Sequence, residues 1–391
     1  MRFTRRDFLA ASAMGAALPV LGQADPIRIA VIAPAYQLGS AAQDLVDRFL
    51  VGYPNGGEWH KPHTKVVSLC VELKGDGDVS AKRSKDFGFP IFKSAAEALR
   101  AGGKQIGCDA VLIFGDKAKH SGQAYYEQVR RVFEEEGRGV AVFLHGQPAR
   151  GIAEARAMRE SATKLKFSLM AGTHLPLVFR LPDLELSHGC ELEEAIAVSW
   201  NGMSFAALEA MQAMVERRKG GESGVRAVRM LSGEAVWQAG WNKELLTAAL
   251  SRSDTPQGLT LLDGRTQDLI GSGELQKLAK DAACYEVEYR DGLTARLMML
   301  DGAIRDTNFA ARVKGAGLQS CQFFEPPLTA SAGLAANVQQ LIATGRAPVP
   351  FERSMLVCGI LESCAESKQK GGARVETGSR GVSYTIEPQA G

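Results

Sequence analysis

Five short runs rich in β-branched and other apolar residues recur within the first 175 positions: Ile27–Ala33, Val66–Glu72, Asp109–Gly115, Val140–Leu144 and Phe167–Ala171. Helical signals lie between them. Ser40 caps a stretch with Leu45, Val46, Phe49 and Leu50 on one face, Ser94-Ala95-Ala96-Glu97 is a capping box, and Ile152 to Lys164 reads as helix. Strands that are apolar nearly throughout are buried on both faces, so the alternation predicts a parallel sheet covered by helices on either side. Ligands on such sheets sit at the carboxyl ends of the strands. Here that edge takes in Pro34–Ser40, Glu72, Gly115–Lys117, His145–Pro148 and Gly172–His174.

A chain of 391 residues exceeds the size at which one core keeps growing, and two domains are expected. The periodicity changes in the second half. Phe205, Leu208, Met211 and Val215 line one helical face, ended by Glu216-Arg217-Arg218-Lys219-Gly220-Gly221, whose basic residues suit a helix C-terminus. Trp237, Trp241, Leu245 and Ala249, at spacings of four, mark a further helix with the tryptophans as core packing. Cys284–Arg290, Leu293–Leu300 and the segment from Ala303 are separated by Asp291-Gly292 and Asp301-Gly302, which reads as an antiparallel meander. Glu286, Glu288, Thr294 and Arg296 alternate with apolar residues, so one face is packed and one is free for a ligand or another subunit. Residues 371–377 read as a closing strand. The fold class is therefore α/β: a Rossmann-like parallel sheet over residues 25–175, then an α+β domain over 176–391 with a largely antiparallel open sheet.

Residues 1–24 stand apart. Thr4-Arg5-Arg6-Asp7-Phe8-Leu9 and the apolar run Ala10–Leu21 read as a twin-arginine export signal ending at Gly22-Gln23-Ala24. The run is too short to span a bilayer, and no other segment reaches that length. A protein exported folded through the twin-arginine machinery works in the periplasm or otherwise outside the cytoplasm. The chain carries 46 basic and 44 acidic side chains, and removal of the signal with its three arginines and one aspartate leaves it neutral. A neutral surface argues against a nucleic-acid partner or a polybasic membrane foot. The seven cysteines are an odd set without a Cys-x-x-Cys pair, which favours buried thiols over a disulfide framework. No metal-ligating constellation is present.

A dinucleotide would lay its pyrophosphate on the turn after the first strand, Ala33-Pro34-Ala35-Tyr36-Gln37-Leu38-Gly39, against the helix that Ser40 opens. The usual glycines are replaced by Ala33, Ala35 and Leu38, with Gly39 one place late. Glu72, ending the second strand, is placed to accept both ribose hydroxyls and to repel a 2′-phosphate, which favours NAD over NADP; the alternative is a solvated surface carboxylate.

Trp59-His60-Lys61-Pro62, Cys108-Asp109-Ala110-Val111-Leu112-Ile113, Met170-Ala171-Gly172-Thr173-His174-Leu175-Pro176, the stretch Met214 to Val225, Pro350-Phe351-Glu352-Arg353 and Gly359-Ile360-Leu361-Glu362 together resemble the Gfo/Idh/MocA family of oxidoreductases, and an exported subgroup of it. The resemblance implies NAD or NADP in the first domain, with Gly115, Asp116 and Pro148 joining the first turn and Glu72. It also implies a second-domain sheet that shapes a sugar-type pocket and joins subunits into a homo-oligomer. Two family positions are altered. Gln147 stands where a catalytic lysine precedes Pro148, and Ala206 where a histidine precedes Ala-Leu-Glu; glutamine donates a hydrogen bond but transfers no proton. His145 and His174 are the available proton carriers, each with the alternative of a bond to nearby backbone. Lys117, Thr173, Arg180 and Glu209 are candidates for substrate hydroxyls, Arg180 and Glu209 equally for structural ion pairs. Two functions follow, an oxidoreductase of a sugar-like alcohol or an inactive descendant that binds a carbohydrate or nucleotide. Replacing Arg5 and Arg6 together by lysine is expected to hold the protein in the cytoplasm, read by cell fractionation; unchanged export would remove the signal reading.

Overall fold

The computed structural model describes residues 25–116, 121–254, 268–326, 329–378 and 382–386. The signal reading of residues 1–24 lies outside them. In chain order the first half runs β1 (Ile27–Ala35), α1 (Ala41–Val51), β2 (Tyr53–Asn55), β3 (Glu58–His60), β4 (Thr64–Leu73), α2 (Ser80–Phe87), β5 (Ile91–Phe92), α3 (Ala95–Arg100), β6 (Ala110–Ile113), α4 (Gly122–Glu136), β7 (Ala141–His145), α5 (Ile152–Lys164) and β8 (Leu169–Gly172). Six of these strands form one parallel sheet in the order β5-β4-β1-β6-β7-β8. Successive connections diverge from β1 toward opposite edges, which opens a crevice at the carboxyl ends of β1 and β6.

Ser40 caps α1 by accepting from the Gln43 amide, and Ser94 caps α3 by accepting from Glu97. In this half two helices escape the sequence reading. Of the eight residues of α2 only Ser80 is buried, and such a helix carries no apolar stripe to read. In α4, Tyr125, Tyr126, Val129, Val132 and Phe133 do face the core, between a Ser121 cap and Gly137, but charged residues crowd the intervening positions.

The second half runs β9 (Phe179–Leu181), β10 (Leu192–Ser199), α6 (Ser204–Val215), β11 (Val225–Ser232), α7 (Glu234–Gln238), α8 (Lys243–Leu250), α9 (Glu274–Leu278), β12 (Ala283–Tyr289), β13 (Thr294–Met299), β14 (Thr307–Val313), β15 (Gly317–Phe324), α10 (Ala332–Thr344), α11 (Phe351–Gln369) and β16 (Val375–Glu376). Its eight strands order as β16-β11-β12-β13-β10-β14-β15-β9. The hairpin at Asp291-Gly292 forms, whereas the second Asp-Gly pair does not make one. β13 runs parallel to β10, the Leu300 amide donates to Ser199 at 2.7 Å, and the chain passes β10 to reach β14 on its far side. The meander is thus interrupted by an earlier strand, a non-local pairing that turn chemistry does not encode. The tryptophan helix is also two helices. Asn242 caps α8, and Trp241 donates from its indole to Val236 while packing edge-on to Trp237 at 6.3 Å.

One face of the second sheet packs on α6 and α11. The other is partly covered by α7, α8 and α9, whose core takes Ile196, Val198, Met298 and Leu300. The polar alternation seen in the sequence becomes a charge ladder on that side: Arg229 to Glu286 at 3.3 Å, Glu286 to Arg296 at 2.8 Å, and Arg296 to Glu194. The seven cysteines are unpaired and six are buried, with burial pushing thiols such as Cys284 up to about 12. No helix among the described residues is long and apolar enough to cross a membrane.

The late helices return to the first sheet. Leu334, Ala335, Val338 and Leu341 of α10 complete the core over β1 and α1, and α11 packs between β8, α5, α6 and β11. Inside α11 a buried arginine, Arg353, donates through Nε to Glu216 at 3.0 Å and through Nη2 to the other carboxylate oxygen. Tyr384 donates to the same carboxylate. The three basic residues at the end of α6 therefore do more than face its dipole. Arg218 is buried, pairs with Glu222 and Asp291, and lies over the Tyr289 ring at 4.5 Å. Replacing Arg353 by methionine strands Glu216 in the interior and is expected to cost about 3–5 kcal/mol, measured by denaturant unfolding; a loss below about 1 kcal/mol would show the pair to be dispensable.

Candidate active site

β7 and β8 end side by side, with His145 opposite Gly172 and the Gly146 amide donating to the Gly172 carbonyl at 2.8 Å. The His145 ring stacks on Phe114 at 5.6 Å and meets Phe143 edge-on at 6.4 Å. Burial in this aromatic setting pushes its pKa down to about 4, and His174 pushes the same way. His145 is therefore a neutral imidazole across the physiological range.

His174 opens the short turn Leu175–Leu177, and its Nε2 lies 2.6 Å from Oε1 of Glu325, the residue just after β15. A carboxylate only accepts, so Nε2 is the donor in this contact. This is the orientation of a general base whose positive charge, once formed, is stabilised. Glu325 comes from the second sheet, 151 positions along the chain. No local pattern in the sequence singles it out.

Beside His174, Thr173 donates from its amide at 2.8 Å and its hydroxyl at 2.7 Å to Oε2 of Glu209. Burial raises the Glu209 pKa to about 7, against the opposing pull of Thr173 and Arg353. Met170, Gly172, Thr173, Glu209, Asn337 and Arg353 line a small cavity there, and the Asn337 side-chain nitrogen has no partner. The structure thus brings His145, His174, Thr173 and Glu209 to one end of β7 and β8.

The first turn is built differently from the expected one. β1 continues to Ala35, which pairs with Leu73, and Ala33 is wholly buried within the sheet. Pro34 is buried as well. Residues 36–38 then run against 77–79, with the Leu38 amide on Gly77 and the Val79 amide on the Tyr36 carbonyl. Tyr36 is fully buried; its hydroxyl donates to Asp47 at 2.9 Å, and burial raises its pKa, so it serves the core rather than a ligand. The Gly39 amide is taken by the Gln43 side chain and the Ser40 hydroxyl by the Gln43 amide. Gly39 itself, at φ +77, has open space where a side chain would stand.

Glu72 is exposed, and the phenol of Tyr125 is raised by burial and then by its hydrogen bond with Glu72. Gly115 presses on the start of α4, where an added Cβ would lie 2.0 Å from the Gly122 nitrogen, and Asp116 acts on Tyr125 from the same side. Pro148 is buried, and exposed Gln147 spends its amide on the Ala149 carbonyl at 2.8 Å. Lys117 lies outside the described residues. The Arg180 guanidinium binds the carbonyls of Pro176 at 2.8 Å and Val178 at 3.3 Å, lies over Phe323, and is shifted down by burial. It clamps its own turn. No group of three metal-ligating side chains occurs among the described residues.

A parallel sheet whose carboxyl edge is roofed by an open mixed sheet is the fold of the Gfo/Idh/MocA-type dehydrogenases. The chain is similar in structure to GenD2 of gentamicin A biosynthesis, solved with NAD, with TM-score 0.59 and 11% identity over 90% of this chain and 96% of that one. Similarity to the myo-inositol dehydrogenase of Lactobacillus casei, solved with NAD(H) and myo-inositol, has TM-score 0.55 and 12% identity over 93% and 99% of the two chains. The aldose-aldose oxidoreductase of Caulobacter crescentus, solved with glycerol, gives TM-score 0.54 and 13% identity over 90% and 99%. No protein-family model and no curated protein matches the sequence.

Because folded His145 stays neutral while an unfolded histidine takes up a proton near pH 6.5, stability is expected to fall as the pH drops from about 6.5 toward about 4. His145→Gln should flatten that slope in thermal unfolding scans at a series of pH values; an unchanged slope would mean that other groups carry it.

Proposed function

We propose that this chain is an extracytoplasmic oxidoreductase of Gfo/Idh/MocA type that passes a hydride between a nicotinamide cofactor and a sugar-like alcohol, with His174 as the proton acceptor. The observation that carries this reading is the His174–Glu325 pair, 2.6 Å apart at the strand edge where this fold places its ligands. Proton removal from an alcohol needs a base with an open lone pair before the step and stabilisation of its protonated form after it. His174 has an adjacent carboxylate for the second requirement. His145, held neutral beside it, can donate or accept a hydrogen bond to the same oxygen without adding charge.

The residues present offer a dinucleotide two supports. The amides of Ala41 and Ala42, in the first turn of α1, make no hydrogen bond within the described protein, and the helix N-terminus favours an anion there. Glu72 stands exposed at the end of β4 for ribose hydroxyls, which favours NAD over NADP. When bound, the nicotinamide supplies or accepts the hydride. The chain's own work is to hold the sugar oxygen at His174, with Glu325 behind it. Export in the folded state suits a cofactor loaded in the cytoplasm and retained, with one alcohol oxidised and another carbonyl reduced in turn. The second-domain sheet would join the subunits.

A second reading, a non-catalytic carbohydrate binder, is favoured by one feature. The amides of Leu38, Gly39 and Ser40 are spent within the protein, so the glycine turn of a usual pyrophosphate seat has no counterpart here. The exported protein, purified from its host and denatured, is expected to release a nicotinamide dinucleotide detected by absorbance and mass. Its absence, with thermal stabilisation by sugars, would favour the binder. In turnover with a panel of aldoses and alditols, His174→Ala should lower kcat by about 10²–10⁴-fold and Glu325→Gln by about 10-fold or more; an unaffected kcat in either would remove that residue from the chemistry.

A further inference from the structure

The geometry points to Glu209 as a positioning residue for His174, acting through Thr173 from a buried position. This rests on the reading of His174 as the proton acceptor. The turn that carries His174 is tied down one polar group at a time. Ser354 of α11 donates to the Ala171 carbonyl at 3.1 Å, the Gly146 amide holds the Gly172 carbonyl, and both donors of Thr173 go to one oxygen of Glu209. Leu177 then closes the turn by donating to the His174 carbonyl at 2.8 Å. Of these ties only the Glu209 contacts use a group that can be charged, and they are adjacent to His174 in sequence.

The backbone is shaped to that carboxylate. Gly172 has φ +140, and a Cβ added to it would stand 2.2 Å from Oε1 of Glu209. No other residue fits while the carboxylate stays there. Glu209 is 2% exposed, so its charge costs desolvation that a glutamine would avoid. Around it, Arg353 of α11 and the Thr173 donors favour the ionised form, Glu216 of its own helix opposes it, and Cys358 of α11 feels its charge. A charged acceptor holds an amide and a hydroxyl more tightly than a neutral one does. Above the raised pKa of about 7 Glu209 is ionised and the His174 turn is held most firmly.

The test is ¹⁵N NMR of the full-length protein uniformly labelled with ¹⁵N, at pH 8, with the His174 ring signals identified by their loss in His174→Gln and the Thr173 amide by backbone assignment. In the wild type His174 is expected as a single tautomer with its proton on Nε2, facing Glu325. Glu209→Gln should leave the ring as a mixture of tautomers and speed exchange of the Thr173 amide by about 10-fold, the loss of about 1.4 kcal/mol of hydrogen bonding. Thr173→Ser, which keeps both donors, should retain the wild-type pattern, and Thr173→Val should lose it. Identical His174 spectra in Glu209→Gln and wild type would overturn the assignment. If Glu209→Gln does not fold, identical spectra in Thr173→Ser and Thr173→Val would do the same. None of these measurements needs turnover, so their failure leaves the oxidoreductase reading standing, and the failure of that reading leaves them interpretable.

Discussion

A helix buried on every side from Arg353 to Ile360 holds this molecule together. Arg353, Ser354, Met355, Leu356, Val357, Cys358, Gly359 and Ile360 of α11 are all buried, eight successive residues that point in every direction around its axis. Such a helix is stable only when protein surrounds it, here β8 and α5 of the first domain and α6 and β11 of the second. Its polar atoms are placed where these neighbours have unpaired groups: Ser354 on the Ala171 carbonyl, Ser367 on the Met230 amide, Arg353 on Glu216. The two sheets are therefore held in one relation by a single buried element, and the site at the end of β8 inherits its rigidity from that element.

This rigidity matters because the residues of the candidate site come from distant parts of the chain. His145 and His174 end neighbouring strands of one sheet, Glu325 ends a strand of the other, and Glu209 lies on a helix between them. A small rotation of one sheet against the other would break the 2.6 Å contact of His174 with Glu325. A buried arginine–glutamate pair is a weak source of net stability, since desolvation offsets attraction. Its value here lies in geometry, because Glu216 and Arg353 mate only when α6 and α11 are correctly docked.

The carboxyl end of β1 is closed by backbone pairing. β1 runs on to Ala35, and residues 36–38 pair with 77–79 where a glycine turn was expected. The surrounding alanines and Pro34 are compatible with that pairing because they sit inside the sheet, where small size and lack of polarity suffice. Positive potential persists at the start of α1, since it belongs to the helix and not to the turn.

Much of the first domain was legible in the sequence because its information is local. Apolar runs, the Ser40 and Ser94 caps and the Ile152–Lys164 periodicity each act over a few residues, and the parallel sheet follows from their alternation. The histidines could be placed at the ligand edge for the same reason, since a residue after a buried strand must emerge there. Local pattern could not reveal the insertion of β10 between β13 and β14, the break at Asn242, the turn of Arg180 onto its own carbonyls, or the pairing of His174 with Glu325. Those were decided by tertiary structure alone, because each depends on which of many available partners is brought near once loop closure and burial have been satisfied. Sequence specified the elements and the edge at which chemistry is possible; packing of α11 between the sheets selected which side chains meet there.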